Sequence, residues 1–231
     1  MYIFLVMSYA HKILEFYDSL DDQIDLPSGV ELIFPFRDAS VQTSITQFYS
    51  KYYDDSHQRY VIWGINPGRL GAGITGVPFT DPIKLENECG IENDFVKKQE
   101  LSSVFVYELI NNFGGPEKFY GRFYISSVSP LGFIKEGKNY NYYDSRELLD
   151  MLADYIRIQI EKQLSFGLSR EKAFSFGKGK NYKVLRKLNE KYKWFDELIP
   201  LPHPRWVMQY RRREKEKHIN QIIDMLSSVG G

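Results

Sequence analysis

Tyr60-Val61-Ile62-Trp63 runs straight into Gly64-Ile65-Asn66-Pro67-Gly68-Arg69-Leu70-Gly71-Ala72-Gly73-Ile74-Thr75-Gly76-Val77-Pro78-Phe79. The apolar tetrad reads as a buried strand. The glycines and prolines after it predict a loop without helix for more than a dozen residues. A rigid loop at the carboxyl end of a strand is where α/β proteins place their chemistry. This one carries the Asn66 amide and the Phe79 ring.

Gly71-Ala72-Gly73-Ile74-Thr75-Gly76 also spells G-x-G-x-x-G. A dinucleotide fingerprint needs a strand directly before it and a helix opening directly after it. Here the strand has ended several residues earlier, and Pro78 and Pro82 follow. A nicotinamide- or flavin-dependent oxidoreductase is therefore the least supported reading.

Outward from that loop, strands and helices alternate. Helices are predicted around Tyr9–Leu20, Ser44–Tyr53 and Leu101–Phe113, the last ended by Gly114-Gly115-Pro116. Arg122–Val128 reads as a strand that turns out through Ser129-Pro130-Leu131-Gly132-Phe133. Asp144-Ser145-Arg146-Glu147 is an Asp-led capping box opening a helix to about Leu164. A short strand at Ala173–Gly177, a basic helix at Asn181–Tyr192, a strand at Glu197–Leu201 and a terminal helix at Met208–Leu226 complete the pattern. This alternation implies an α/β fold with a mostly parallel sheet covered on both faces. Its ligand crevice belongs at the carboxyl ends of the strands.

The chain has 231 residues, 43% hydrophobic and 16% aromatic, which suits one domain with a large core. Cys89 is the single cysteine, so an internal disulfide and cysteine-rich metal sites are excluded and a reducing, cytoplasmic compartment fits. No metal or cofactor is expected, because the His and acidic residues show no ligand spacing. The apolar start Tyr2–Met7 is too short for a membrane span and lacks the flanks of a signal peptide; Met7 is an alternative first residue. Net charge is zero but uneven. Fifteen of the thirty Lys and Arg, against six of the thirty Asp and Glu, fall between Arg170 and Lys217. That is either a solvated basic face or a phosphate-tracking surface.

The second unusual stretch is Leu201-Pro202-His203-Pro204-Arg205-Trp206-Val207-Met208-Gln209-Tyr210-Arg211. Two prolines clamp a histidine just past the last strand, so its imidazole is held in place. The strand order puts it opposite Asn66 in the crevice.

Taken together, the two stretches resemble the uracil-DNA glycosylase superfamily over roughly residues 58–215, most closely its single-strand-selective monofunctional class. Gly64, Asn66-Pro67-Gly68, Gly71 and Thr75–Phe79 match its G-M-N-P-G…Q-T-G-V-P-F motif, and His203-Pro204 with Arg205 resembles its H-P-S-P-R motif shortened by two residues. The resemblance implies a three-layer α/β/α sandwich around a four-stranded sheet. Residues 1–57 would form a helical portion packed on the same single domain. It also implies a monomer that binds DNA, contacts no membrane and excises a damaged base in base excision repair, acting on a bacterial nucleoid.

Asn66 then resembles the residue that positions the hydrolytic water, and His203 the group that stabilises the departing base. Gly64, Ile65, Pro67, Gly68 and Phe79 would surround the base, with Phe79 stacking on it. Arg205, Trp206, Val207 and Met208 resemble the wedge that fills the vacated duplex position. Arg211, Arg212, Arg213, Lys178, Lys180, Lys183, Arg186 and Lys187 would hold phosphates. One departure stands out: aligning Pro130-Leu131 with the family's turn puts Ser127 where an Asn usually reads the pyrimidine edge. A small bacterial subgroup shares this. Asn139 or Asn141 would then replace that Asn, or the pocket would take another deaminated base, such as a purine. No lysine lies in the first motif or beside His203, so hydrolysis without a lyase step is expected. A DNA- or nucleotide-binding module with little catalysis is the alternative.

Overall fold

The structure, a computed structural model, describes residues 7–229; the apolar start up to Val6 lies outside them. Strands β1 (Val30–Ile33), β2 (Arg59–Gly64), β3 (Phe123–Ser127), β4 (Gly132–Lys135), β5 (Lys138–Tyr140), β6 (Leu168–Phe176) and β7 (Glu197–Leu201) are interspersed with helices, β3, β4 and β5 following one another directly. The helices are α1 (Tyr9–Asp18), α2 (Ala39–Tyr53), α3 (Ala72–Thr75), α4 (Pro82–Asn87), α5 (Leu101–Phe113), α6 (Pro116–Tyr120), α7 (Arg146–Leu164), α8 (Lys180–Tyr192), α9 (Pro204–Tyr210) and α10 (Lys215–Ser227).

The central sheet has the order β3-β2-β6-β7, and every pairing in it is parallel. β2, an inner strand, and β3, at the edge opposite β7, are both buried almost throughout, as parallel strands with both faces covered must be. β7 is an edge strand, which lets Pro200 sit within it without breaking a ladder. This is the α/β fold expected from the alternation. β2 is anchored at its start by Arg59, which is fully buried. Its guanidinium grips Asp55 bidentately at 2.7 Å, donates to Tyr120 O at 2.7 Å, and lies 4.7 Å from the Tyr53 ring centroid. Those hydrogen bonds hold the Asp55 carboxyl below the usual carboxylate range. On one side of the core α1 packs on α2 and α7; elsewhere α5 packs on α9 and α10. The Tyr9 ring of α1 meets Tyr53, Tyr124 and Phe166, so the N-terminal helices share the main core.

Four local expectations need correction. The Gly-rich loop is not free of helix: α3 is a single turn inside it, closed by Gly76 at φ +75°, and Asp81-Pro82 starts the equally unforeseen α4. The cap of α7 is Ser145, whose hydroxyl accepts the Leu148 N–H at 3.1 Å; Asp144 instead accepts from Asn141. The terminal helix is two helices, α9 and α10, broken at Arg211 (φ −135°, ψ 28°), so that both pack on α5. Finally, a second, antiparallel sheet of order β1-β4-β5 was invisible in the sequence. Its strands have only three or four residues, too few for an alternation to register, and long-range pairing defines them. This small sheet buttresses the Gly-rich loop. Gly132 of β4 lies so close to the Pro67 carbonyl that a Cβ there would collide with it.

Candidate active site

At the carboxyl ends of β2, β6 and β7 the loops enclose a cavity of about 870 Å3. Asn66 and Phe79 from the Gly-rich loop and His203 from the β7–α9 turn line this one space. The two stretches singled out in the sequence therefore meet.

The Gly-rich loop is held by its own polar groups. The buried Thr75 hydroxyl donates to Thr80 O at 2.7 Å and accepts the Val77 N–H at 3.2 Å. Phe79 sits at φ +53°, a left-handed conformation that costs a non-glycine residue about 1–3 kcal/mol and is kept only where the surroundings enforce it. They do so here. Its ring meets Phe176 edge-on at 5.1 Å and rests on Gly64, where any Cβ would stand 2.8 Å from the ring.

Three backbone groups fix the Asn66 amide. Its Nδ2 donates to Pro67 O and to Tyr140 O, both at 3.3 Å, and its Oδ1 accepts the Tyr142 N–H at 3.2 Å. The Tyr142 hydroxyl in turn donates to Asn181 Oδ1 at 2.7 Å, and Asn181 Nδ2 donates to Gly64 O at 3.3 Å. The strut Asn66–Tyr142–Asn181–Gly64 thus ties the amide to the end of β2. Oδ1 keeps a second lone pair with which to hold a water.

His203 is the N-cap of α9, and its Nδ1 accepts the Arg205 N–H at 3.2 Å. In the neutral ring the proton must then sit on Nε2, as a donor. Burial, with Arg205 beside it, pushes the imidazole down to about 4, so it is neutral at physiological pH. Gly177 lies against it, a Cβ there being 3.3 Å from Cδ2.

The remaining expected residues divide. Ile65, Gly68, Asn139, Asn141, Arg205, Trp206, Lys178 and Lys180 line the cavity. Gly64 and Pro67 are buried behind it. Ser127 does not reach it: it is buried on β3, paired beside Gly64. Asn139 Oδ1 accepts the Arg69 N–H at 3.1 Å, while Asn141 is tied to Asp144. Val207 and Met208 are buried, because α9 turns that face onto α5. The exposed face of α9 instead carries Arg205, Trp206, Gln209 and Tyr210 to the cavity mouth. Arg211 and Arg212 are exposed but do not line the cavity, and the Arg211 guanidinium lies 5.5 Å from the Trp206 ring centroid.

Sequence reasoning missed several cavity residues. Lys138 joins Lys178 and Lys180 at the exposed rim, so lysines are present although none flanks either motif. His218 of α10 brings two ring nitrogens that are buried without a hydrogen-bond partner among the described residues. Glu100, at the start of α5, is an acid in the same wall. No short pattern marks these residues, because each belongs to an element read only for its packing.

Among the described residues no helix is long and apolar enough to cross a membrane. No curated protein matches the chain. The crystal structure of wild-type Pedobacter heparinus SMUG2 is similar to it with a TM-score of 0.93 and 43% identity, over 96% of this chain and 98% of that one. The sequence profile of the Uracil DNA glycosylase superfamily matches residues 50–227, which span both the Gly-rich loop and the His203 turn. With that match over most of its length, the chain belongs to the uracil DNA glycosylase superfamily, whose members are DNA glycosylases.

Proposed function

We propose that this chain hydrolyses the N-glycosidic bond of a deaminated base in DNA (uracil, xanthine or another deaminated purine) as a monofunctional, monomeric enzyme of bacterial base excision repair. One observation carries the reading: a fixed amide, a neutral imidazole with its N–H on Nε2, and the Phe79 ring share a single cavity.

The base leaves the helix stack to enter that cavity, at a cost of a few kcal/mol that is least for mispaired or unpaired bases. Phe79 returns about 1–3 kcal/mol by stacking. As the bond from the sugar carbon to the base nitrogen breaks, the sugar becomes cationic and the base anionic. His203 Nε2–H donates to the departing anion, and a neutral ring does so without first giving up a proton. Asn66 Oδ1 holds the water whose oxygen bonds to the sugar carbon, and the proton this water loses goes, through solvent, to the expelled base anion. A carboxamide is a poor base, so the acceleration comes chiefly from stabilising the leaving group. Lys178, Lys180, Arg205, Arg211 and Arg212, all exposed, hold the flanking phosphates, and Trp206 fills the vacated position.

The test is excision from oligonucleotides carrying uracil, xanthine or hypoxanthine, with alkali to reveal abasic sites. Asn66→Ala and His203→Ala should fold and lose excision. Wild-type turnover by both variants refutes the assignment, and tight damaged-strand binding with no excision by the parent chain favours the binding-module alternative. Borohydride should trap no covalent adduct; an adduct would make one of the rim lysines a nucleophile.

A further inference from the structure

Among the described residues five cations and a single carboxyl line the cavity: Arg69, Lys138, Lys178, Lys180 and Arg205 against Glu100. A site built to receive polyanionic DNA and release an anionic base has an evident use for the cations and none for an ionised acid. Yet Glu100 is half-buried, unlike the exposed rim lysines, and the fold makes no use of its carboxyl. It stands at the N-cap of α5 but makes no side-chain cap; its backbone N–H goes to Asp81 Oδ2 at 2.9 Å. Its carboxyl accepts no hydrogen bond and makes no ion pair among the described residues. Instead it is pressed into the Gly68–Gly71 turn, on the stretch that carries Asn66. A Cβ on Gly71 would run into Oε2, and one on Gly68 would stand 3.5 Å from Oε1. Gly71 leaves room for that carboxyl, and Gly68 lies in ordinary contact range of it. Ser127, meanwhile, leaves the cavity without the edge-reading group its position implied.

We infer that Glu100 is a base-contacting residue that determines specificity, its carboxyl hydrogen-bonding the edge of the extruded base beside the Gly68–Gly71 turn. The inference rests on the glycosylase reading. Deamination turns an exocyclic amine into a carbonyl next to a ring N–H. An un-ionised carboxyl, with one O–H donor and one C=O acceptor, matches that pair; a carboxylate offers acceptors only and repels the departing anion. Burial holds the Glu100 carboxyl up at about 7, against the opposing pull of Arg205 and with Asp81 adding to the rise. The acid is thus half un-ionised at neutrality and mostly un-ionised below it. Asp81, before α4, lies beside Glu100 outside the cavity lining; the charged and titratable groups that face the cavity are Arg69 from the Gly-rich loop, His203 and Arg205 from the β7–α9 turn, His218 from α10, Lys138, Lys178 and Lys180 from the rim, and the phenols of Tyr143 and Tyr210.

The experiment is single-turnover excision of uracil, xanthine and hypoxanthine between pH 5.5 and 9 by the full chain and by Glu100→Gln and Glu100→Ala, with thermal melts to confirm folding. The parent rate should fall about tenfold per pH unit above about 7 as the acid ionises. Glu100→Gln, which keeps a donor and an acceptor, should abolish that fall and change the ratio of rates among the three bases. Glu100→Ala should lose at least tenfold at pH 6. A folded Glu100→Ala with the parent's rate, base ratios and pH profile overturns this inference while leaving the glycosylase reading intact. A parent chain that excises none of the three bases overturns both.

Discussion

Protonating His203 should cost the fold stability and the site its activity, and the size of both effects follows from the structure. In an unfolded chain the imidazole titrates at 6.5; in the folded chain burial, with Arg205 beside it, lowers this to about 4. The folded pKa is depressed, so the unfolded state binds the proton first as the pH falls. Stability is therefore fully present above about 6.5 and is lost progressively between 6.5 and 4. The full shift corresponds to about 3 kcal/mol. His203→Ala removes this slope, at the price of the α9 cap, about 1 kcal/mol at neutral pH. Urea denaturation of both chains at pH 7 and pH 4.5 measures the difference. Between those two pH values the parent should lose about 2.4 kcal/mol more than the variant. Nitrogen-detected NMR of the ring should show the proton on Nε2 down to about pH 4, and His203→Ala should lower the excision rate about 10²–10³-fold at pH 7. A titration midpoint above 6, or a proton on Nδ1, would refute the neutral-donor argument.

Three other substitutions test the framework around that donor. Asn66→Asp replaces an amide whose Nδ2 faces two carbonyl oxygens with a carboxylate that repels them, and should destabilise the fold by about 1–3 kcal/mol in thermal melts at neutral pH. Tyr142→Phe strips the donor from buried Asn181 Oδ1; it should cost about 1–3 kcal/mol and slow excision without weakening DNA binding, because Tyr142 positions Asn66. Gly132→Ala pushes the new methyl into the Pro67 carbonyl; a loss of about 1–3 kcal/mol and a displaced Asn66 loop should appear in melts and in the excision rate.

The chain order of residues alone determined the parallel α/β layout. The continuous apolar runs of β2 and β3 and the helical stripes of α5 and α7 are local patterns, and local patterns suffice to say which face of an element is buried. The Gly-rich loop and the proline-clamped imidazole were legible for the same reason, since glycine and proline constrain the backbone wherever they stand. Folding decided what depends on groups distant in sequence. It paired three short segments into the sheet under Pro67, turned Val207 and Met208 inward, and kept Ser127 outside the cavity. It also carried Glu100 from the head of a packing helix to the Gly68–Gly71 turn. A side chain's charge state and reach are set by its neighbours in space, and no spacing along the polymer encodes them.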